Sequence, residues 1–220
     1  MRYVTDADKL SNVIRILAGH EAEVRQYFLA SLKPRVTVHD RSEDNVTKLF
    51  ILANADRMGT GKDNENLVYA TAAFRQRLGQ MIDQCKQKQP EDAHTIFLAG
   101  LCDIPGMDQK TANLFLKYLV MFQNEIALGP LNELSWKTFL HVPLDLWVLR
   151  LMGKHYLGVC NSDFEADFGK PNKRKPAETV YISPSFRKRK YHQLQRDINE
   201  VALLAGEAAI TLDALWFVGS

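Results

Sequence analysis

The chain has 220 residues, 46% of them apolar and 25% charged, and a formal net charge of +2. That length allows one domain or two small lobes with a substantial core, at a composition ordinary for a globular protein. No apolar run approaches a membrane span and MRYVTDADKL lacks an apolar signal core, so a cytoplasmic chain is expected; the three scattered cysteines, Cys85, Cys102 and Cys160, build neither a disulfide framework nor a zinc ribbon.

The pattern is helical from the start. Asp8–Ala18 places Leu10, Val13, Ile14 and Leu17 on one face, and Glu21–Leu32 forms a second helix that Pro34 should end. Arg35–Asp40 alternates like a short strand without a partner and is expected as an extended loop. Ser42-Glu43-Asp44 can cap a helix running to Met58, with Val46, Phe50, Ile51 and Ala53 apolar. Gly59-Thr60-Gly61-Lys62 fails as a phosphate loop, because Asp56 and Asp63 stand where a Walker sequence needs Gly and Ser or Thr. Asn64 then caps a helix to about Lys88, with Leu67, Thr71, Phe74, Leu78, Met81 and Ile82 as its stripe.

Residues 90–123 carry the most information. Pro90-Glu91-Asp92 starts a helix, with Pro in the first turn and acids at the positive end of the dipole. Ile104-Pro105-Gly106-Met107-Asp108 is a tight turn: Pro105 presets φ, and Gly106 supplies the positive φ a short reversal needs. From Gln109 the period is helical again, with Ala112, Phe115, Leu116, Leu119 and Phe122 on one face and Lys110, Asn113 and Lys117 on the other. Unpaired N–H groups at the start of that second helix offer a seat for a phosphate, and Lys110 adjoins it.

Downstream, Gly129-Pro130 is a turn, and a helix is expected from Leu131 to about Phe139. Pro143 breaks it, and Asp145 opens the next helix; on pattern alone Asp145 is an N-cap. Gly153–Lys175 reads mostly as loop, Ser183-Pro184 opens a helix through Leu204, and Thr211 starts a short terminal one around Leu212, Leu215, Trp216 and Val218. Trp136, Trp147 and Trp216 are expected in the core. Residues 168–192 hold eight cations against Glu178 alone, which makes either a solvated loop or a patch for a polyanion backbone. The six histidines have no metal-ligand spacing, and no Ser-His-Asp order or nucleophile elbow is present.

The stretch IPGMDQKTANLFL resembles the helix-hairpin-helix signature of the DNA glycosylases related to endonuclease III, in which a Pro-Gly-apolar-Gly hairpin precedes Lys-Thr-Ala. PLDLWVLR resembles the segment that holds that family's catalytic aspartate at a helix N-terminus. Two departures stand out: Asp108 replaces the second Gly, where it is expected to tolerate left-handed backbone, and Leu146-Trp147 replaces the usual Thr-His. The 35 residues from Lys110 to Asp145, and the absence of a four-cysteine iron–sulfur motif, are closer to the archaeal 8-oxoguanine glycosylases. The likeness covers about residues 90–155.

The resemblance implies an all-α fold of about ten helices, a single domain of two lobes with DNA in the cleft between them. It implies Lys110 as a nucleophile on C1′ and Asp145 as the carboxylate that stabilises sugar cation charge and helps activate Lys110. Pro105, Gly106, Met107, Asp108 and Gln109 of the hairpin would contact DNA, with Lys173, Arg174, Lys175, Arg187 and Lys188 adding backbone contacts. The implied activity is removal of an oxidised purine such as 8-oxoguanine from double-stranded DNA by a monomer, with strand nicking and no metal or cofactor. A non-catalytic helix-hairpin-helix DNA-binding module is the alternative, and an all-α protein-interaction domain with a chance hairpin is a third reading.

Overall fold

The computed structural model describes residues 1–38, 44–58, 65–125, 127–129, 131, 136–144, 146–153, 157–168 and 184–214. Among these residues α-helices and short 3₁₀ turns carry the fold, and the only β pairing is a lone antiparallel bridge from Val4 to Cys160. The helices are α1 (Ala7–Ala18), α2 (Glu21–Val38), α3 (Asn45–Met58), α4 (Glu65–Cys85), α5 (Pro90–Cys102), α6 (Gln109–Phe122), α7 (Leu146–Met152), α8 (Ser162–Phe168) and α9 (Pro184–Ala205). No described helix is long and apolar enough to cross a membrane. The chain divides into two compact units, one made of Met1–Ala22 with Leu144–Ser220 and the other of the continuous run Glu23–Pro143.

The continuous unit is built around α6. This helix packs against α3 and α5, while α4 packs along α5 and α3. Phe50 of α3 stacks on Phe74 of α4 at 4.1 Å, and the Phe115 ring of α6 meets both edge-on at 5.7 and 5.4 Å, offset and T-shaped geometries that suit aromatic quadrupoles. Where α4 crosses α5, a Cβ on Gly100 would lie 2.7 Å from Met81 Sδ, so that close approach depends on the missing side chain. Asp44 caps α3, accepting from both the N–H and the hydroxyl of Thr47.

His94 of α5 is buried in the same unit, edge-on to His141 at 5.2 Å and to Trp136 at 6.1 Å, and its Nε2 finds no hydrogen-bond partner among the described residues. Burial lowers its pKa to about 4. The unfolded chain therefore takes up a proton near the ordinary histidine value while the folded one resists it. The stabilisation is complete above about pH 6.5 and is lost as pH falls toward 4, roughly 3 kcal/mol in all. Thermal melts between pH 7 and pH 4 should show this limb, and His94→Leu should flatten it; an unchanged limb in the variant would remove His94 as its source.

The other unit ties the first residues to α8 and α9. The backbone N–H groups of Arg2 and Tyr3 donate to the buried Asp197 carboxylate of α9 at 2.7 and 2.6 Å. The Tyr3 hydroxyl donates to Asp167 of α8 at 2.9 Å, and Lys190 of α9 pairs with the other oxygen of that carboxylate. Burial raises the Asp167 pKa, but the Lys190 ammonium, the Tyr3 hydroxyl and Arg2 outweigh it and hold the carboxyl below its ordinary value. Burial and Asp167 push the Tyr3 phenol up to about 12. The apolar face of α1, with Leu10, Ile14 and Leu17 buried, lies on α9, where Ile198, Val201 and Ala202 are buried.

Several expectations change. α2 does not stop at Pro34 but continues as helix to Val38, so the expected extended segment at Arg35–Asp40 is helical as far as it is described. Proline's fixed φ is compatible with a helix, and its cost is one missing i→i−4 bond. The helix expected from Leu131 to about Phe139 is, in its described part, a 3₁₀ turn at Lys137–Phe139, and 132–135 lie outside the described residues. The loop expected at Gly153–Lys175 contains α8, which Asn161 caps through Phe164 N–H and which buries Phe164 and Asp167. Of the terminal helix expected from Thr211, the described part is a 3₁₀ turn at Ala209–Ala214, and Leu215, Trp216 and Val218 lie outside the described residues. Gly59–Lys62 and Asn64 lie outside the described residues.

Candidate functional site

The helix, turn and helix expected from the sequence are present as α5, Ile104–Met107 and α6. Pro90 occupies the first turn of α5, and Glu91 and Asp92 follow it there. Ala93, His94, Phe97, Leu98 and Leu101 bury the inner face, and the helix closes with the Asp103 N–H donating to the Ala99 carbonyl and the Ile104 N–H to the Leu101 carbonyl. The Met107 N–H then donates to the Ile104 carbonyl at 3.0 Å, closing a four-residue turn. Pro105 and Gly106 are its two central residues, and Gly106 has φ +84°, the type II pattern of Pro followed by a positive-φ glycine. Ile104 and Met107 are buried at either end of the turn, while Pro105 and Gly106 face solvent. Any side chain at position 106 would be held in left-handed backbone.

Asp108 does not take the left-handed conformation expected of it. Its φ of −114° and ψ of 170° are extended, and it is the N-cap of α6. Its Oδ1 accepts from the Thr111 N–H at 2.8 Å and the Thr111 hydroxyl at 2.9 Å. An aspartate at this position therefore needs no glycine-like freedom; it uses its charge to satisfy a donor of the helix terminus. The Ala112 N–H reaches the Asp108 carbonyl. The N–H groups of Gln109 and Lys110 remain without an acceptor among the described residues.

Lys110 stands in this first turn, exposed, with no hydrogen bond or ion pair among the described residues. The two residues grouped with it on an outer face do not share its surroundings. Asn113 and Lys117 are buried, and α6 has both α3 and α5 packed against it. The Asn113 amide donates back to the Gln109 carbonyl at 2.6 Å. The expected apolar face, Ala112, Phe115, Leu116, Leu119 and Phe122, is fully in the core.

Asp145 lies outside the described residues; the helix that follows it, α7, begins at Leu146 and belongs to the discontinuous unit. Lys173, Arg174 and Lys175 are also outside the described residues, and Arg187 and Lys188 are placed only as backbone of α9. Of the other cations in that basic stretch, Arg189 is exposed, whereas Lys190 is turned inward to Asp167 and is part of the packing of its unit. Among the described residues no three His, Cys, Asp or Glu side chains come together as metal ligands.

One residue at the hairpin was not singled out by sequence. Arg77 of α4 donates from Nη1 to the Asp103 carbonyl, where α5 gives way to the turn. Nothing in the local pattern of α4 marks it, since the contact depends on how α4 lies along α5. Compared with known proteins, the chain matches no family model, no curated protein and no solved structure.

Proposed function

We propose that this chain is a DNA repair glycosylase of the helix-hairpin-helix kind, with the associated two-lobed helical arrangement, and that it removes an oxidised purine such as 8-oxoguanine and nicks the strand through a lysine Schiff base. The observation that carries the reading is the closed Ile104–Met107 turn followed at once by the exposed Lys110 and two open N–H groups. A backbone phosphate fits open N–H groups at a helix start. Lys110 would attack C1′, forming a carbon–nitrogen bond as the base leaves and takes up a proton; the sugar ring then opens, the C1′–O4′ bond breaking and O4′ taking a proton as the 4′ hydroxyl, to give the Schiff base, and β-elimination expels the 3′ phosphate and breaks the strand. An amine attacks C1′ through its lone pair, so the chemistry needs the neutral form of the nucleophile. Asp145 would stabilise the positive charge that develops on the sugar, which requires Lys110 and Asp145 to act on one nucleotide. The target base must leave the stack to be reached.

Borohydride trapping on duplexes carrying single damaged bases tests the reading. A covalent protein–DNA species with an oxidised-purine duplex, and none with undamaged DNA, is expected. Binding without trapping on any lesion would favour the second reading, a non-catalytic DNA-binding module. Leu146-Trp147, standing where the family has Thr-His beside its aspartate, favours that alternative, whereas Asp108 weighs on both readings, because its carboxylate caps α6 and places a negative charge beside the phosphate seat.

The same residue gives a graded test. Asp108→Asn keeps the cap, since asparagine caps as well as aspartate, and removes the charge. Duplex affinity at low salt should rise by about threefold, the effect of one unit charge several ångströms from a phosphate in a watery setting. Unchanged or weaker binding, at unchanged melting temperature, would mean the phosphate does not sit at this turn.

A further inference from the structure

The Arg77 side chain is exposed, and its bond to the Asp103 carbonyl, 3.1 Å long, is its one polar contact among the described residues. A guanidinium carries five N–H donors in a planar fork and keeps its charge at any physiological pH. One bond fixes the orientation of the group and leaves the remaining donors, and the whole charge, without a partner among the described residues. Asp103 is the last residue before Ile104, where the turn begins, and the turn reverses the chain within four residues to reach the open N–H groups of Gln109 and Lys110. Those N–H groups adjoin the Asp108 carboxylate, which opposes an anion there. A cation brought in from a different helix, and anchored to the hairpin's own backbone, is what an anion at this turn lacks.

We propose that Arg77 is a phosphate-binding residue of the hairpin: one nitrogen holds the Asp103 carbonyl, and the free arm of the fork takes a phosphodiester oxygen of duplex DNA. This rests on the reading of the hairpin as a DNA-backbone grip. Because the side chain is already held, it loses less freedom on binding than an untethered surface arginine.

The test is the salt dependence of binding of the full chain to an undamaged duplex, for the parent, Arg77→Gln, Arg77→Lys and Arg75→Gln. Arg75 is exposed on the same helix and about 200° away around it, with a contact of its own, so its variant controls for the loss of a surface cation away from the turn. Each phosphate contact contributes about 0.9 to the slope of log K against log salt. Arg77→Gln should lower that slope by about this amount, so that its affinity deficit shrinks about threefold between 50 and 200 mM salt. Arg77→Lys should restore most of the slope, Arg75→Gln should leave it near the parent's, and all four melting temperatures should agree. A parental slope in Arg77→Gln, or an equal fall in Arg75→Gln, would overturn the contact. So would a slope lost only together with stability and not restored by lysine, which would make Arg77 a staple of the turn and nothing more. A parent that binds no duplex at low salt would overturn the grip itself and the Arg77 contact with it.

Discussion

Replacing Lys110 by glutamine should abolish covalent trapping and strand cleavage, by about 10³-fold or more, because no other group supplies the amine that forms the Schiff base. Lesion-duplex binding should change only a few-fold, since one lost cation removes one contact. The fold should be indifferent. Lys110 is exposed and unbonded among the described residues, and lysine and glutamine have nearly the same helix propensity, so the melting temperature should stay within the range of a neutral surface change. The measurement is borohydride trapping in parallel with a gel-shift titration and a thermal melt. A variant that traps as well as the parent would remove Lys110 from the chemistry, whatever its effect on binding.

Asp145→Asn should slow base release by about 10²–10³-fold, the usual size of a lost charge-stabilising group in a site that develops charge. Asparagine caps a helix as well as aspartate, so the start of α7 should hold and stability should barely move. Single-turnover excision separates the two roles this residue could have. A pure cap predicts near-parental rates in the asparagine variant and a loss of about 1 kcal/mol of stability in Asp145→Ala. A parent that excises a lesion while both Lys110→Gln and Asp145→Asn retain full excision would place the active groups elsewhere in the chain.

Local chemistry made the hairpin legible in the sequence. Pro105-Gly106 names its own turn, the acids after Pro90 name a helix start, and the period from Gln109 names the buried face of α6. The lone character of the strand-like Arg35–Val38 segment was also visible; that it continues α2 was not, because a proline states only a φ and the missing bond, and the rest of the helix decides whether that loss is tolerated. Asp108 was read through the glycine it replaces, when its own preference for capping, with Thr111 three residues on, explains its backbone better. Asn113 and Lys117 were misplaced for a different reason. A single amphipathic stripe assumes one packed side, and α6 has α3 and α5 against it. Arg77 and the Asp167–Lys190 pair were beyond reach, since each joins two successive helices, across 26 and 23 residues, by a packing register that no local pattern encodes.

The division of the chain also orders its assembly in time. Glu23–Pro143 is one unbroken run and can close its core as soon as it leaves the ribosome. The unit that owns α1 must wait for α9, and about 160 residues separate the two, on the order of 10–30 s of synthesis. For that interval Leu10, Ile14 and Leu17 have no partner from their own fold, and the carboxylate that will hold Arg2 and Tyr3 has not yet been made. The nascent protein thus carries a completed hairpin while an amphipathic helix on its N-terminal side still lacks the face it packs on.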